Sequence, residues 1–300
     1  RRVLQSLTER IKAMFVSDNW KDYELIDASD GERLERWGKY ILIRPDPQVI
    51  WHGAKASPLW KRADASYKRS SKGGGAWQES RVPESWTIGY RNLTFLIKPM
   101  GFKHTGIFPE QAANWDWITE KIKGANRQIK VLNLFAYTGG ATVAAAAAGA
   151  AVCHVDAARG MVAQAKENAK LSGLADAPIR YIVDDCKKFV EREIRRGNTY
   201  DGIIMDPPSY GRGPSGEVWK IEECVDEFVT LAAKLLSDKP LFFLINSYTT
   251  GLSPLAMQYI ADLRIRPTHG GHGISAETVL PVSTAGTLLP AGASMRYSFD

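Results

Sequence analysis

A chain of 300 residues with 44% hydrophobic, 10% aromatic and 24% charged side chains has an ordinary globular composition, and its nine tryptophans exclude wholesale disorder. The formal net charge is +6, but residues 1–103 hold 19 basic and 12 acidic side chains while residues 104–300 hold 20 and 21. The positive excess in the first third suits a polyanion-binding module joined to a neutral one, or a basic face that is simply solvated. Cys153, Cys186 and Cys224 are too scattered for a disulfide framework or a CxxC metal site, as expected in a reducing cytoplasm. The charges at Arg1, Arg2, Glu9, Arg10 and Lys12 do not read as a secretory leader. The uncharged stretch Val131–Cys153 is mostly Ala and Gly, too weakly apolar for a membrane span.

In chain order, a helix is expected over Val3–Phe15. Short apolar alternations at Tyr23–Asp27, Tyr40–Pro45 and Leu93–Pro99, bounded by turn signals such as Asp30-Gly31, predict β-strands. The polar, glycine-rich stretch Lys61–Arg81 lacks a sustained apolar period and reads as a mobile basic loop. Residues 1–103 thus read as a small mostly-β accessory domain.

From Pro109 the texture changes. Glu110–Ile122 has helical spacing, and strands at Lys130–Phe135, Ala151–Val155, Ile179–Val183, Tyr200–Met205 and Pro240–Ile245 alternate with helices at Gly140–Gly149, Ala158–Leu171, Lys187–Arg196 and Val218–Leu236. That alternation means βαβ units and a parallel sheet, so the fold class is α/β. Residues 104–300 form this second domain, and the last stretch, Arg264–Asp300, could close the sheet as a hairpin.

Ligands of an open parallel sheet bind at the carboxyl ends of the strands. Those ends carry Ala136-Tyr137-Thr138-Gly139-Gly140, then Asp156, Asp184-Asp185, Asp206-Pro207-Pro208 and Asn246-Ser247-Tyr248. The glycine turn has neither GxGxxG nor a Lys-Ser/Thr pair, so neither a dinucleotide nor a P-loop reading fits. Its glycines still admit close backbone approach. Asp156 lies where an acid accepts hydrogen bonds from a ribose diol. A nucleoside without phosphates suits this set, with Asp185 near an adenine amino group. Alternatively the glycines serve packing and Asp156 caps the next helix. Asp206-Pro207-Pro208 is the most specific motif: two prolines fix φ and remove two donors, leaving carbonyls aimed into the cleft. Tyr210 offers a face for a flat base.

The segments VLNLFAYTGGATV, Asp156, VDDCKKFV and DGIIMDPPSYGRGPSGEVWK together resemble class I S-adenosylmethionine-dependent methyltransferases. More narrowly the chain is similar to the bacterial family of large-subunit ribosomal RNA cytosine-C5 and guanine-N7 methyltransferases, with HTGIFPEQ (His104–Gln111) matching that family's approach to the cofactor. The resemblance implies a Rossmann-like, seven-stranded sheet with an antiparallel last strand and S-adenosyl-L-methionine as cofactor. It places the methionine end against Phe135, Ala136, Tyr137, Thr138 and Gly139, the ribose on Asp156 and the adenine near Asp185, counts Asn133 among the cofactor-binding residues, and has Gln111 help to cover the cofactor. Asp206, Pro207, Pro208 and Tyr210 would face the methyl group and the acceptor. Cytosine-C5 members carry a nucleophilic cysteine after the fifth strand, where this chain has Asn246, Ser247 and Tyr248, which argues against that chemistry. Ser209 stands where N-P-P-Y enzymes hold an aromatic, which weakens an N-methylation reading.

The expected activity is methyl transfer to RNA, with ribosomal RNA as partner and neither metal nor membrane. Alternatives are a protein or small-molecule acceptor, or an idle RNA-binding protein. His104 reads as structural, and His269 and His272 as loop residues rather than metal ligands. Arg212 is a phosphate contact or solvated. Lys61, Arg62, Lys68, Arg69 and Lys72 with Tyr67 and Trp77 either bind RNA or form a basic loop without a partner.

Overall fold

The computed structural model describes residues 14–70, 74–78, 80–101, 103–212, 218–249 and 251–299, with only the backbone of Arg212. The chain forms two compact units. One comprises Val16–Ala113 and Val279–Ala291; the other comprises Asn114–Thr278 and Gly292–Asp300 with the described part of Arg1–Phe15. The helix expected over Val3–Phe15 lies outside the described residues except at its end, where Phe15 belongs to the short strand β1 (Phe15–Val16).

The smaller unit is built on an antiparallel meander of β2 (Tyr23–Ser29), β3 (Glu32–Trp37) and β4 (Tyr40–Pro45). Asp30 and Gly31 turn β2 into β3 with φ of 56° and 75°, the left-handed pair a tight hairpin requires. The central strand β3, ERLERW, does not read as a strand because four of its six residues are charged. It forms because Arg44 on the neighbouring strand grips Glu35 through Nε and Nη2 (2.6 and 2.7 Å) and the Tyr23 hydroxyl donates to the same carboxylate at 2.8 Å. Glu35 is fully buried, Arg33 approaches it at 3.3 Å, and Arg44 lies over the Trp37 ring. Against the cost of burial, Arg33 and Arg44 hold the Glu35 carboxyl down to about 2.

The Lys61–Arg81 segment is not a loop. After a turn at Pro58–Lys61, β5 (Ala65–Arg69) joins β4 in parallel and pairs with β6 (Gly75–Gln78) in an antiparallel hairpin. Tyr67 faces Trp77 across it, Tyr67 donates to the Gly101 carbonyl (3.2 Å) and the Trp77 indole donates to that of Met100 (2.8 Å). A Cβ on Gly75 would lie 2.2 Å from the Lys68 carbonyl and 2.8 Å from the Tyr67 ring, so the hairpin requires glycine there. The two aromatics anchor the segment, while Lys61, Arg62, Lys68 and Arg69 stay exposed; Lys72 lies outside the described residues. A separate hairpin pairs β7 (Trp86–Tyr90) with β8 (Leu93–Ile97).

The larger unit opens with α1 (Ala112–Gly124) and then alternates: β9 (Lys130–Leu134), α2 (Gly140–Ala147), β10 (Ala151–Asp156), α3 (Arg159–Leu171), β11 (Ile179–Val183), α4 (Cys186–Arg196), β12 (Gly202–Met205). A small hairpin of β13 (Tyr210–Arg212) and β14 (Val218–Lys220) precedes α5 (Ile221–Ala233), β15 (Phe242–Ser247) and α6 (Pro254–Arg264), an element with no counterpart in the expected set. After α7 (Arg266–His269), the long strands β16 (His272–Val282) and β17 (Thr287–Ser298) each run from one unit into the other. The strand order is β11-β10-β9-β12-β15-β17, parallel throughout to β15, with β17 antiparallel to it. From β9 the chain moves outward to β11 and then returns beyond β9 to β12. Right-handed crossovers therefore put α2 and α3 on one face and α4 and α5 on the other. The strand order reverses between β9 and β12, which opens a crevice at their carboxyl ends. Its walls are packed on Leu132, Leu134, Ile203, Met205, Phe243 and Ile245, all fully buried. The Rossmann-like α/β expectation and the β-rich N-terminal region are both found. No helix among the described residues is long and apolar enough to cross a membrane.

Candidate cofactor and acceptor site

The turn after β9 enters the crevice with an unusual backbone. Phe135 and Tyr137 have φ of 54° and 50°, and Gly139 has φ of 80°. Aromatic residues rarely adopt this left-handed conformation, so the surrounding contacts must impose it. The Phe135 N–H donates to Cys186 Sγ (3.2 Å), the Tyr137 N–H to Asp156 Oδ2 (2.8 Å) and the Ala136 N–H to the Val155 carbonyl (3.1 Å). Asn168 on α3 donates to the Thr138 carbonyl at 2.8 Å. A Cβ on Gly139 would lie 2.8 Å from Ala165 Cβ, so close helix packing and backbone conformation both demand glycine.

Asp156 has a double task. Its Oδ1 accepts from the Ala158 N–H (2.8 Å), leading into α3, while Oδ2 accepts from Tyr137. One hydrogen bond per oxygen leaves each a lone pair, so the anchored carboxylate can still accept from a ribose diol. The helix-entry reading and the ribose reading are thus compatible. Asp185 is the N-cap of α4, accepting from the Lys188 N–H at 2.9 Å, and Asp184 pairs with Arg192. Cys186 is buried below the loop, and burial pushes its thiol well above the ordinary range, so it serves as an acceptor for Phe135 and not as a thiolate.

Asn133 does not reach the crevice with a free amide. It is buried and donates to Thr142 Oγ1 (2.9 Å), which is also 2.9 Å from His154 Nδ1. Sequence reasoning passed over Thr142 and His154; the polar Asn133 within an apolar strand was the available signal. Burial lowers the His154 pKa to about 4. A histidine so depressed contributes stability above pH 6.5 that is lost as pH falls through 4. Thermal melts at pH 7 and 5 should therefore show a smaller acid-induced drop for His154→Asn than for the parent; equal drops would contradict the assignment.

On the far side of the crevice, Asp206 continues β12 and its N–H donates to the Leu134 carbonyl (3.3 Å). Pro207 is buried and Pro208 exposed. The Pro208 carbonyl accepts from the Trp219 indole at 2.6 Å, which corrects the expectation that both proline carbonyls are aimed into the cleft. Trp219 in turn packs on Phe135 and Phe228, tying the acceptor loop to the strained turn. Thr249 donates to Ser209 Oγ (2.6 Å), and Tyr210, 51% exposed, pairs with Lys220 in the β13–β14 hairpin. Gln111 is buried in a short 3-10 turn of the smaller unit. Burial, followed by the Arg44 charge, lowers the His104 pKa to about 4 and keeps it neutral. Among the described residues no group of three or more His, Cys, Asp or Glu side chains could hold a metal ion.

Open parallel strands, a strained glycine turn and a carboxylate anchored after the second strand define a Rossmann-like α/β enzyme for a nucleoside-bearing cofactor. The model of the S-adenosylmethionine-dependent methyltransferase family matches residues 51–226. A crystal structure of an S-adenosylmethionine-dependent methyltransferase from Agrobacterium tumefaciens is 37% identical, with a TM-score of 0.89 over 95% of this chain and 93% of that one. A putative methyltransferase from Streptococcus mutans shares the fold at 18% identity, with a TM-score of 0.74 over 94% of this chain and 76% of that one. A ribosomal RNA large subunit methyltransferase K/L of Shewanella frigidimarina is 32% identical over 174 residues, which cover 57% of this chain and 24% of the relative. This chain belongs to the S-adenosylmethionine-dependent methyltransferase family, and its cofactor is S-adenosyl-L-methionine. It spans about a quarter of the curated relatives it matches.

Proposed function

We propose that the chain transfers the methyl group of S-adenosyl-L-methionine to a base of RNA, most specifically ribosomal RNA. The observation that carries this reading is the Asp206–Tyr210 loop at the carboxyl end of β12, next to the strained Phe135–Gly139 turn across the switch point. The matched ribosomal RNA methyltransferases support the choice of acceptor.

The bound cofactor supplies a methyl group already activated on a sulfonium, so the residues act by alignment. The Phe135–Gly139 backbone and Asp156 would hold the cofactor, with Asp185 available to its adenine. Asp206 and the Pro207 carbonyl orient the acceptor, and Tyr210 offers a stacking face. We place the accessory RNA-holding role in residues 1–103, with Lys61, Arg62 and Arg69 as exposed phosphate contacts. Tyr67 is withdrawn as a stacking residue because it is buried.

The test is transfer of labelled methyl to total RNA and total protein from cells lacking the enzyme. Label in RNA supports the reading; label only in protein overturns it. Asp206→Ala should lower turnover about tenfold to thirtyfold, as expected for loss of one aligning interaction, with cofactor affinity changed less than threefold. Unchanged turnover would show that the acceptor lies elsewhere.

A further inference from the structure

Asn246, at the carboxyl end of β15, is 3% exposed, and its amide is oriented by a chain of hydrogen bonds that begins at a group able only to donate. Arg296 Nε donates to Asn114 Oδ1 at 2.9 Å. Asn114 must therefore turn its Nδ2 the other way, toward Asn246 Oδ1 (3.1 Å) and Ser294 Oγ (2.8 Å). Ser294 also donates to Asn246 Oδ1 at 2.7 Å, and Thr278 Oγ1 stands 3.0 Å behind it. The Asn246 oxygen accepts twice, so its two N–H donors face away from the network. Among the described residues these donors meet no acceptor, the hydrogen bonds of the side chain all falling on Oδ1. A buried side chain with an open donor edge differs from a core amide satisfied on all sides.

The position of that edge gives it meaning. Met205 and Ile245 are partners across the parallel strands β12 and β15. Asp206 and Asn246 follow them as neighbours, about one strand spacing of 5 Å apart. Asn246 thus stands beside the acceptor loop, on the side of the switch point away from Asp156.

We propose that Asn246 is a recognition residue whose Nδ2 donates a hydrogen bond to a lone pair next to the methylated atom. The assignment rests on the reading that Asp206 faces the acceptor, and it deepens that reading by specifying acceptor chemistry. A nucleobase edge, with a carbonyl oxygen or ring nitrogen beside the reacting atom, accepts such a bond. A lysine ammonium or an arginine guanidinium has only donors and would leave Asn246 unmatched. Missing a buried polar match discriminates more strongly than a change of apolar contact.

The test uses labelled-methyl transfer to total RNA from cells lacking the enzyme, with Asn246→Asp, Asn246→Ala and Ser294→Ala variants of the full chain. Asn246→Asp exchanges the donors for acceptors and should lower kcat/KM for RNA at least tenfold while the Kd for S-adenosylmethionine stays within twofold. Ser294→Ala removes one of the two bonds to the Asn246 oxygen but keeps the Nδ2 donors, and should lower kcat/KM less than Asn246→Asp does. Asn246→Ala gives the same readout if the Asp variant does not fold. A parent protein that labels lysine or arginine side chains instead of RNA overturns both the acceptor reading and this assignment. If the parent labels RNA but the Asn246 variants keep their kcat/KM, or fall only in step with Ser294→Ala and with melting temperature, the Asn246 assignment alone fails.

Discussion

Asp156→Ala should weaken S-adenosylmethionine binding about a hundredfold, measured by titration calorimetry. The carboxylate accepts two backbone hydrogen bonds, from Tyr137 and Ala158, and the first holds Tyr137 at a φ of 50° that an aromatic residue does not favour. Hydrogen bonds to a charged group contribute about 1.5–3 kcal/mol each. On the proposed cofactor placement the variant would lose the ribose contact as well as the clamp on the left-handed turn, so binding would have to reorder the Phe135–Gly139 backbone. Asp156→Asn keeps an acceptor oxygen and should lose less. If Asp156→Ala binds the cofactor within threefold of the parent, the ribose does not sit on this carboxylate.

The second large effect is on stability. Glu35→Ala removes the carboxylate shared by Arg33 and Arg44 in the meander and should cost about 3–5 kcal/mol, the range for stranding a buried ionic partner. Both arginines are nearly inaccessible, and the Tyr23 hydroxyl loses its acceptor. Urea unfolding followed by tryptophan fluorescence, to which Trp37 beneath Arg44 contributes, should show the loss. A change below about 1 kcal/mol would mean that the cluster relaxes or hydrates easily. The pH dependence has a definite sign. With its folded pKa held at about 2 below the ordinary 4.5, Glu35 contributes stability above pH 4.5 that is lost as pH falls through 2. Glu110 works in the opposite direction, because burial raises its pKa and its charge opposes folding at neutral pH.

Much of the larger unit was legible because its signals are local. Gly202–Met205 is a continuous apolar run, Lys130–Leu134 is apolar except for Lys130 and Asn133, and the helices between the strands carry the 3.6-residue period. Asp156, the glycine turn and Asp206-Pro207-Pro208 follow those strands directly, so a strand prediction places them at the crevice without knowledge of any contact. The smaller unit was harder to read. Its central strand is mostly charged, and Glu35 becomes tolerable in a core when Arg44, nine residues later, and the Tyr23 hydroxyl join Arg33 around it. The hairpin over Lys61–Arg81 likewise depends on Tyr67 and Trp77 finding carbonyls at Gly101 and Met100. Neither partner is visible to a window moving along the chain.

The α/β class, the succession of strands and helices along the chain and the identity of the residues that follow each strand are readable from the sequence alone. These follow from periodicity and chain connectivity, which are local and chiral constraints. The tertiary structure decided how those residues are used. It showed the Asp156 carboxylate as a clamp on a left-handed turn, the Pro208 carbonyl as occupied by Trp219, and the Asn246 amide as turned outward by Arg296 through Asn114. Hydrogen-bond direction depends on which donor and acceptor meet in space, and residues 114, 246 and 296 meet only after the sheet has formed. The excess positive charge of residues 1–103 was countable from the outset, but folding determined that Lys61, Arg62 and Arg69 remain exposed while Arg33 and Arg44 are consumed in the core.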